Sequence, residues 1–196
     1  GVSVLLVDFR GSGGSSESYT TVGVHEGDDV AAVARYANVN LSQVHTATIL
    51  FGHSMGAVAI LRAVHEHSVA PDAIILEAVF DTMLNTVRNR FAALGMPSFP
   101  SAELLVFWGG WQADFCGFSH NPVDYAKSVL SPVLFIHGAG DSRATITEGR
   151  RVFEAVRGPK EFMVFEAVGH EAYASKYQHE WQTAVADIIR KAQKST

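Results

Sequence analysis

Residues 46–56 read TATILFGHSMG, a short apolar run from Thr46 to Phe51 that stops at Gly52-His53-Ser54-Met55-Gly56. A run of this length, bounded by glycine, suits a buried strand, whereas Ala57 to His67, rich in Ala, Leu and Ile, has helical character. G-x-S-x-G between a strand and a helix marks a sharp turn that lifts the serine out of the sheet's end. Such a turn strains the serine backbone and needs small neighbours, which Gly52 and Gly56 are expected to supply. It also sets Ser54 at a helix N-terminus, where the Met55 N–H is the natural first donor to an oxyanion. The plain alternative is a tight Gly-Ser turn without chemistry, and the flanking strand and helix weigh against it.

A serine hydroxyl is a weak nucleophile until a base takes its proton, so a histidine and an orienting carboxylate are required. In this architecture they follow in the order serine, acid, histidine, on loops at the carboxyl ends of later strands. Asp141 follows Val133 to His137 through Gly138-Ala139-Gly140, and His170 follows Phe162 to Phe165 through Glu166-Ala167-Val168-Gly169. These are the expected acid and base. Asp81, beyond the run Ala73 to Leu76, is the rival acid. Glu77 reads as a buried, hydrogen-bonded carboxylate, Glu171 as a solvated loop charge, and Asp8 as a brace for the loop after it. Of the nine histidines, His25, His45, His65, His67, His120 and His179 lack a strand-end position and read as surface or structural. His53 reads as support at the turn, and His137 as a brace for the Asp141 loop.

Outward from this centre, Val2 to Asp8 (VSVLLVD) predicts a strand buried on both faces, ending in the Gly/Ser loop 11–16. Val30, Val33, Ala34 and Ala37 recur at helical spacing behind Glu26, Asp28 and Asp29, which predicts a helix. Strands are expected at Ala73 to Leu76, Val133 to His137 and Glu161 to Phe165, the last two behind Pro132 and Gly158-Pro159. Helices are expected over 146–156 and 173–191. The alternation predicts an α/β fold, a doubly wound, mostly parallel sheet joined by right-handed crossovers. The stretch 85–128 departs from it. Pro97, Pro100, Gly109-Gly110 and Pro122 interrupt aromatic pieces there, which predicts a cap insertion of short helices and loops within one domain over 1–196.

At 196 residues, with 47% hydrophobic and 18% charged residues, the chain can bury one substantial core. A net charge of −5 with scattered Lys and Arg excludes a basic footprint for nucleic acid. The single cysteine, Cys116, excludes an internal disulfide and reads as a small apolar packing residue. No apolar run approaches the ~18 residues of a membrane span, and no signal peptide is present, which favours the cytoplasm. The sequence opens on Gly1 rather than Met, so a targeting segment upstream would lie outside it.

The stretch Val7-Asp8-Phe9-Arg10-Gly11-Ser12-Gly13-Gly14-Ser15, the turn 52–56, the loop His137-Gly138-Ala139-Gly140-Asp141, and Gly169-His170 together resemble the α/β-hydrolase superfamily over nearly the whole chain. Within it the sequence looks most like the Bem46-like and serine aminopeptidase-like group of small esterases, with a short cap between the sixth and seventh strands. The resemblance implies that Val2 to Asp8 is the family's fourth strand. Three earlier strands and an H-G-type loop donating a second oxyanion N–H would precede it, so this sequence is expected to be an N-terminally incomplete piece of a longer protein. It further implies a serine hydrolase acting on carboxylic esters through an acyl-serine intermediate, with Ser54, His170, Asp141 and the Met55 N–H in the roles above. A serine aminopeptidase or thioesterase would use the same residues, and a ligand-binding member with a decayed site is the reading from another class. A dehalogenase is disfavoured, since its nucleophile would be an acid. The aromatic stretch from Phe91 to Phe118 fits either a roof over an acyl pocket or packing against the sheet's edge. The expected partner is a small-molecule ester or acyl substrate, and no metal or organic cofactor is implied.

Overall fold

Two apolar faces on each central strand organise the molecule. The computed structural model describes residues 2–41 and 47–195. His45, and Thr46 at the head of the first apolar run, lie outside the described residues. Strands β1 (Ile49–His53), β2 (Ala73–Glu77), β3 (Val133–Gly138) and β4 (Lys160–Phe165) form a parallel sheet in the order β1-β2-β3-β4. The helices are α1 (Glu26–Asn40), α2 (Met55–His67), α3 (Met83–Ala93), α4 (Ser101–Gln112), α5 (Pro122–Ala126), α6 (Ile146–Ala155), α7 (Tyr173–Lys176) and α8 (Gln178–Ser195).

Every residue of β2 and β3 is buried, the signature of a strand covered on both sides. Ile74, Leu76, Val133 and Phe135 point to one core, shared with α1, α2, α5 and α6. Ile75, Leu134 and Ile136 alternate to the opposite core, closed by Tyr173, Ile188 and Ala192 from α7 and α8. Each such Ile or Leu contributes about 1.5–3 kcal/mol by leaving water. The α/β sheet with helices on both faces is therefore as expected from the alternation.

Three expectations fail. Val2 to Asp8 belongs to no strand, and its side chains are bare, with Val4 75% and Leu6 88% exposed. Apolar patterning reports that a segment can be buried, but a strand also needs a hydrogen-bonding neighbour, and this segment pairs with none of β1 to β4. Its far end is nonetheless anchored: Asp8 accepts the Gly14 N–H at 2.9 Å, as a brace should, and Arg10 pairs with Asp29 at 2.7 Å. The closing helix is broken at Tyr177 (φ −122°, ψ 50°) into α7 and α8. Cys116 is exposed rather than packed, because it lies in the turn after α4.

Between β2 and β3 the chain makes α3, α4, a 3-10 turn at Gly117–Ser119, and α5. Helix α4 buries Ala102, Val106 and Gly110 while Leu104, Leu105, Phe107, Trp108 and Trp111 face outward. Among the described residues, no helix is long and apolar enough to cross a membrane.

Candidate active site

Ser54 stands between β1 and α2 with φ 50° and ψ −111°, a conformation a side-chain-bearing residue adopts only when its surroundings force it. The forcing groups are visible. The Ser54 N–H donates to the Glu77 carbonyl on β2 at 2.8 Å. A Cβ on Gly52 would stand 2.5 Å from the Gly56 carbonyl carbon and 2.6 Å from the Ala57 nitrogen, so glycine alone lets α2 press onto β1. Gly56 departs from expectation: a Cβ there meets the Phe9 ring at 3.7 Å, an ordinary contact with an aromatic edge rather than with backbone. Ser54 makes no capping bond to its own helix, which leaves its hydroxyl free of the backbone. Met55 opens α2, so its N–H has no acceptor within the helix.

Asp141 and His170 meet. His170 Nδ1 and Asp141 Oδ2 are 2.7 Å apart, and Asp141 Oδ1 accepts the N–H groups of Arg143 at 2.8 Å and Ala144 at 2.9 Å. Burial alone would push this carboxyl up. The hydrogen bonds from His170 and Ala144 and the histidine's charge outweigh it and hold the group below the usual carboxylate range. Since an ionised carboxylate only accepts, Nδ1 carries the proton and Nε2 is the nitrogen left to take one.

The two loops are fastened to each other. Ala139 N–H donates to Phe165 O at 3.0 Å and Gly140 N–H to Val168 O at 2.9 Å. A Cβ on Gly138 would stand 2.4 Å from the Val168 carbonyl oxygen, which is why the strand must end in glycine here. Tyr173, fully buried, accepts the Gly138 N–H at 3.0 Å and ties the far side of the His170 loop to the same strand end. Sequence reasoning missed this tyrosine; its spacing three residues after His170 was the available sign. Glu26, read as a charge facing the helix dipole, does more: its carboxylate accepts from Thr20, Thr21 and Gly23 and shapes the loop beside Met55.

The rival acid lies in another cluster. Asp81 is buried, but Asn85 Nδ2 and Arg151 Nη1 hold its carboxylate, the latter at 2.7 Å, and among the described residues no histidine bonds to it. Glu77 is buried and accepts the Trp181 indole N–H, as expected, and burial pushes it up to about 6. His137 Nε2 donates to the Ala144 carbonyl at 2.7 Å, bracing the Asp141 loop. His53 is not remote from the site: its ring centroid lies 5.1 Å from that of His170. His120 is buried between the Tyr125 hydroxyl and the Val22 carbonyl, whereas His25, His65 and His67 bond at 2.7–2.8 Å to Ala113 O, Ser128 Oγ and Asp28 Oδ1. Among the described residues, no cluster of three or more His, Cys, Asp or Glu is placed to hold a metal ion. A shallow cavity of about 410 Å³ between α4 and the turn after it is lined by Phe107, Trp111, Asp114, Phe115, Cys116, Gly117 and Phe118, apart from Ser54 and His170.

A parallel sheet flanked on both faces, with a strained serine turn at its carboxyl end, defines an α/β-hydrolase-fold protein. The family is more particular: the chain belongs to the prolyl oligopeptidase family, whose model matches residues 1–196. It is similar to Uncharacterized protein YqkD of Bacillus subtilis, 27% identical over 199 residues that take in 100% of this chain and 65% of that one. It is also similar to human Protein ABHD12B, 28% identical over 80% of this chain and 42% of the other. The chain thus spans less than two thirds of either relative's length. Among solved structures, the Pyrococcus furiosus esterase Pf2001 superposes with a TM-score of 0.73 at 21% identity, covering 95% of this chain and 69% of that one, a likeness of fold.

Proposed function

We propose that the chain is the catalytic part of a serine hydrolase that cleaves carboxylic esters through an acyl-serine intermediate. The observation that carries this reading is the 2.7 Å contact of His170 Nδ1 with Asp141, which directs the opposite nitrogen outward as a base. His170 Nε2 takes the Ser54 hydroxyl proton as the serine oxygen attacks the ester carbonyl, and the Met55 N–H stabilises the oxyanion. The protonated imidazole, steadied by Asp141, then gives its proton to the departing alkoxide. Water repeats the sequence to release the acid and restore Ser54. The residues from α3 to α5 form a cap, whose aromatic groups suit an apolar acyl or alcohol portion.

A second reading, hydrolysis of aminoacyl amides, is favoured by the family match to prolyl oligopeptidases. Labelling with a fluorophosphonate tests the shared chemistry. Stoichiometric modification of the native chain that vanishes in Ser54→Ala is expected; equal or absent labelling overturns it. Rates on p-nitrophenyl esters against aminoacyl-anilides then separate the two readings, the first predicting faster ester turnover.

A further inference from the structure

Asp141 grips His170 at a single nitrogen, and one hydrogen bond fixes an edge of a ring without fixing its plane. A second support is needed on the face. It comes from the strand that carries the nucleophile. His53 is the last residue of β1, in register with Glu77 on β2. Its ring lies 5.1 Å from that of His170, inclined at 59°, and 6.1 Å from that of Tyr173, inclined at 57°. Tyr173 cannot recede, being fully buried and bonded to Gly138.

We propose that His53 is a positioning residue for the base: a ring rooted in β1 and wedged against His170 and Tyr173, which sets the plane in which His170 meets Ser54. The proposal rests on the reading of Ser54, His170 and Asp141 as nucleophile, base and acid.

The chemistry of the wedge follows from its surroundings. His53 Nε2 is buried and has no hydrogen-bond partner. An orphaned polar atom of this kind destabilises, so the polarity of that nitrogen gives the fold nothing. The wedge acts through the ring's flat face, beside a hydrogen bond to the Glu171 backbone. The ring also resists taking a proton. Burial first, and the neighbouring His170 second, depress its proton affinity, against smaller opposing effects from the Glu171 backbone and Asp141; His137 adds to the depression. Glu77, opposite on β2, is occupied with Trp181. A lone imidazolium beside Asp141 is tolerable, but two 5 Å apart would repel.

The test compares His53→Leu, which fills the space without a flat face, with His53→Phe, which restores one. For a p-nitrophenyl ester, His53→Leu is expected to lower kcat about tenfold while KM stays within about twofold, since a misaligned base slows chemistry without touching substrate. His53→Phe is expected to recover kcat to within about threefold of the native chain, since it restores the flat face without either ring nitrogen. Thermal melts of both variants separate misalignment from unfolding. Native kcat in the folded Leu variant, a loss carried by KM, or a folded Phe variant as impaired as Leu would each overturn the wedge. Failure of the underlying reading is separate, because it appears as a native chain unlabelled at Ser54 before any His53 variant is made.

Discussion

The carboxylate of Asp141 accepts three hydrogen bonds, two from its own loop and one from His170, the proposed base. Replacing it with Asn keeps the loop bonds but offers His170 an amide, which stabilises the imidazolium poorly and permits the wrong tautomer. Asp141→Asn is expected to lower kcat on the preferred ester by about 10³–10⁴-fold with the fold intact, as read by steady-state kinetics and circular dichroism. Glu77 makes a prediction of the opposite kind. Its carboxyl is pushed up to about 6 by burial, so the folded state favours the protonated form. That stability is present below the ordinary value of 4.5 and is lost as pH rises through about 6. Glu77→Gln keeps an acceptor for Trp181 and removes the charge, so it should melt above the native chain at pH 8 and with it at pH 4. The difference at pH 8 is at most about 2 kcal/mol, and equal melting at both pH values contradicts the assignment. The pairing of Asp141 with His170 was legible because each follows a strand-like run through a short glycine-bearing loop. Tyr173 and the closeness of His53 to the base were not, since both depend on how a loop folds back over a strand end.

At the scale of elements, the turn at Ser54 is built by one glycine more than the other. Gly52→Ala drives a methyl into the backbone of α2 and is expected to destabilise the chain by about 3 kcal/mol or more. Gly56→Ala meets only the edge of Phe9 and gains helix propensity, so it should be neutral or stabilising by up to ~1 kcal/mol. Urea denaturation of the two variants checks the ordering, and equal losses would contradict it. The same contrast explains which elements were readable. Runs such as Ala73 to Leu76 and Val133 to His137 were read to within a residue, because strands covered on both faces tolerate nothing but apolar side chains. Val2 to Asp8 has the same composition and forms no ladder, since pairing is a property of two segments and composition of one. The closing helix was read as continuous because its apolar spacing runs across Tyr177, where the backbone leaves the helical region.

For the molecule as a whole, buried titratable groups pull its stability in opposite directions. His120 is pushed down to about 4, chiefly by burial, so its contribution is present above its ordinary 6.5 and is lost as pH falls toward 4. With Glu77 acting at the other flank, the melting temperature is expected to peak near roughly pH 6. His120→Phe should flatten the acid flank between about pH 6.5 and 4, and an unchanged flank would sink the assignment. The two-faced sheet was legible in the sequence because helices and strands alternate along it. How α4 came to leave Leu104, Leu105, Phe107, Trp108 and Trp111 outward was not, since nothing in a local pattern says which side of an all-apolar helix is covered. The fastening of Gly140 to Val168 also has a meaning in time. On the proposed reading, Asp141 and His170 reach their places as acid and base only when the loop after β4 closes onto the end of β3, whereas Ser54 precedes both in the chain. A ribosome would then present the proposed nucleophile long before its proposed activators, and a nascent or prematurely ended chain would carry an inert alcohol until nearly all of these residues have emerged.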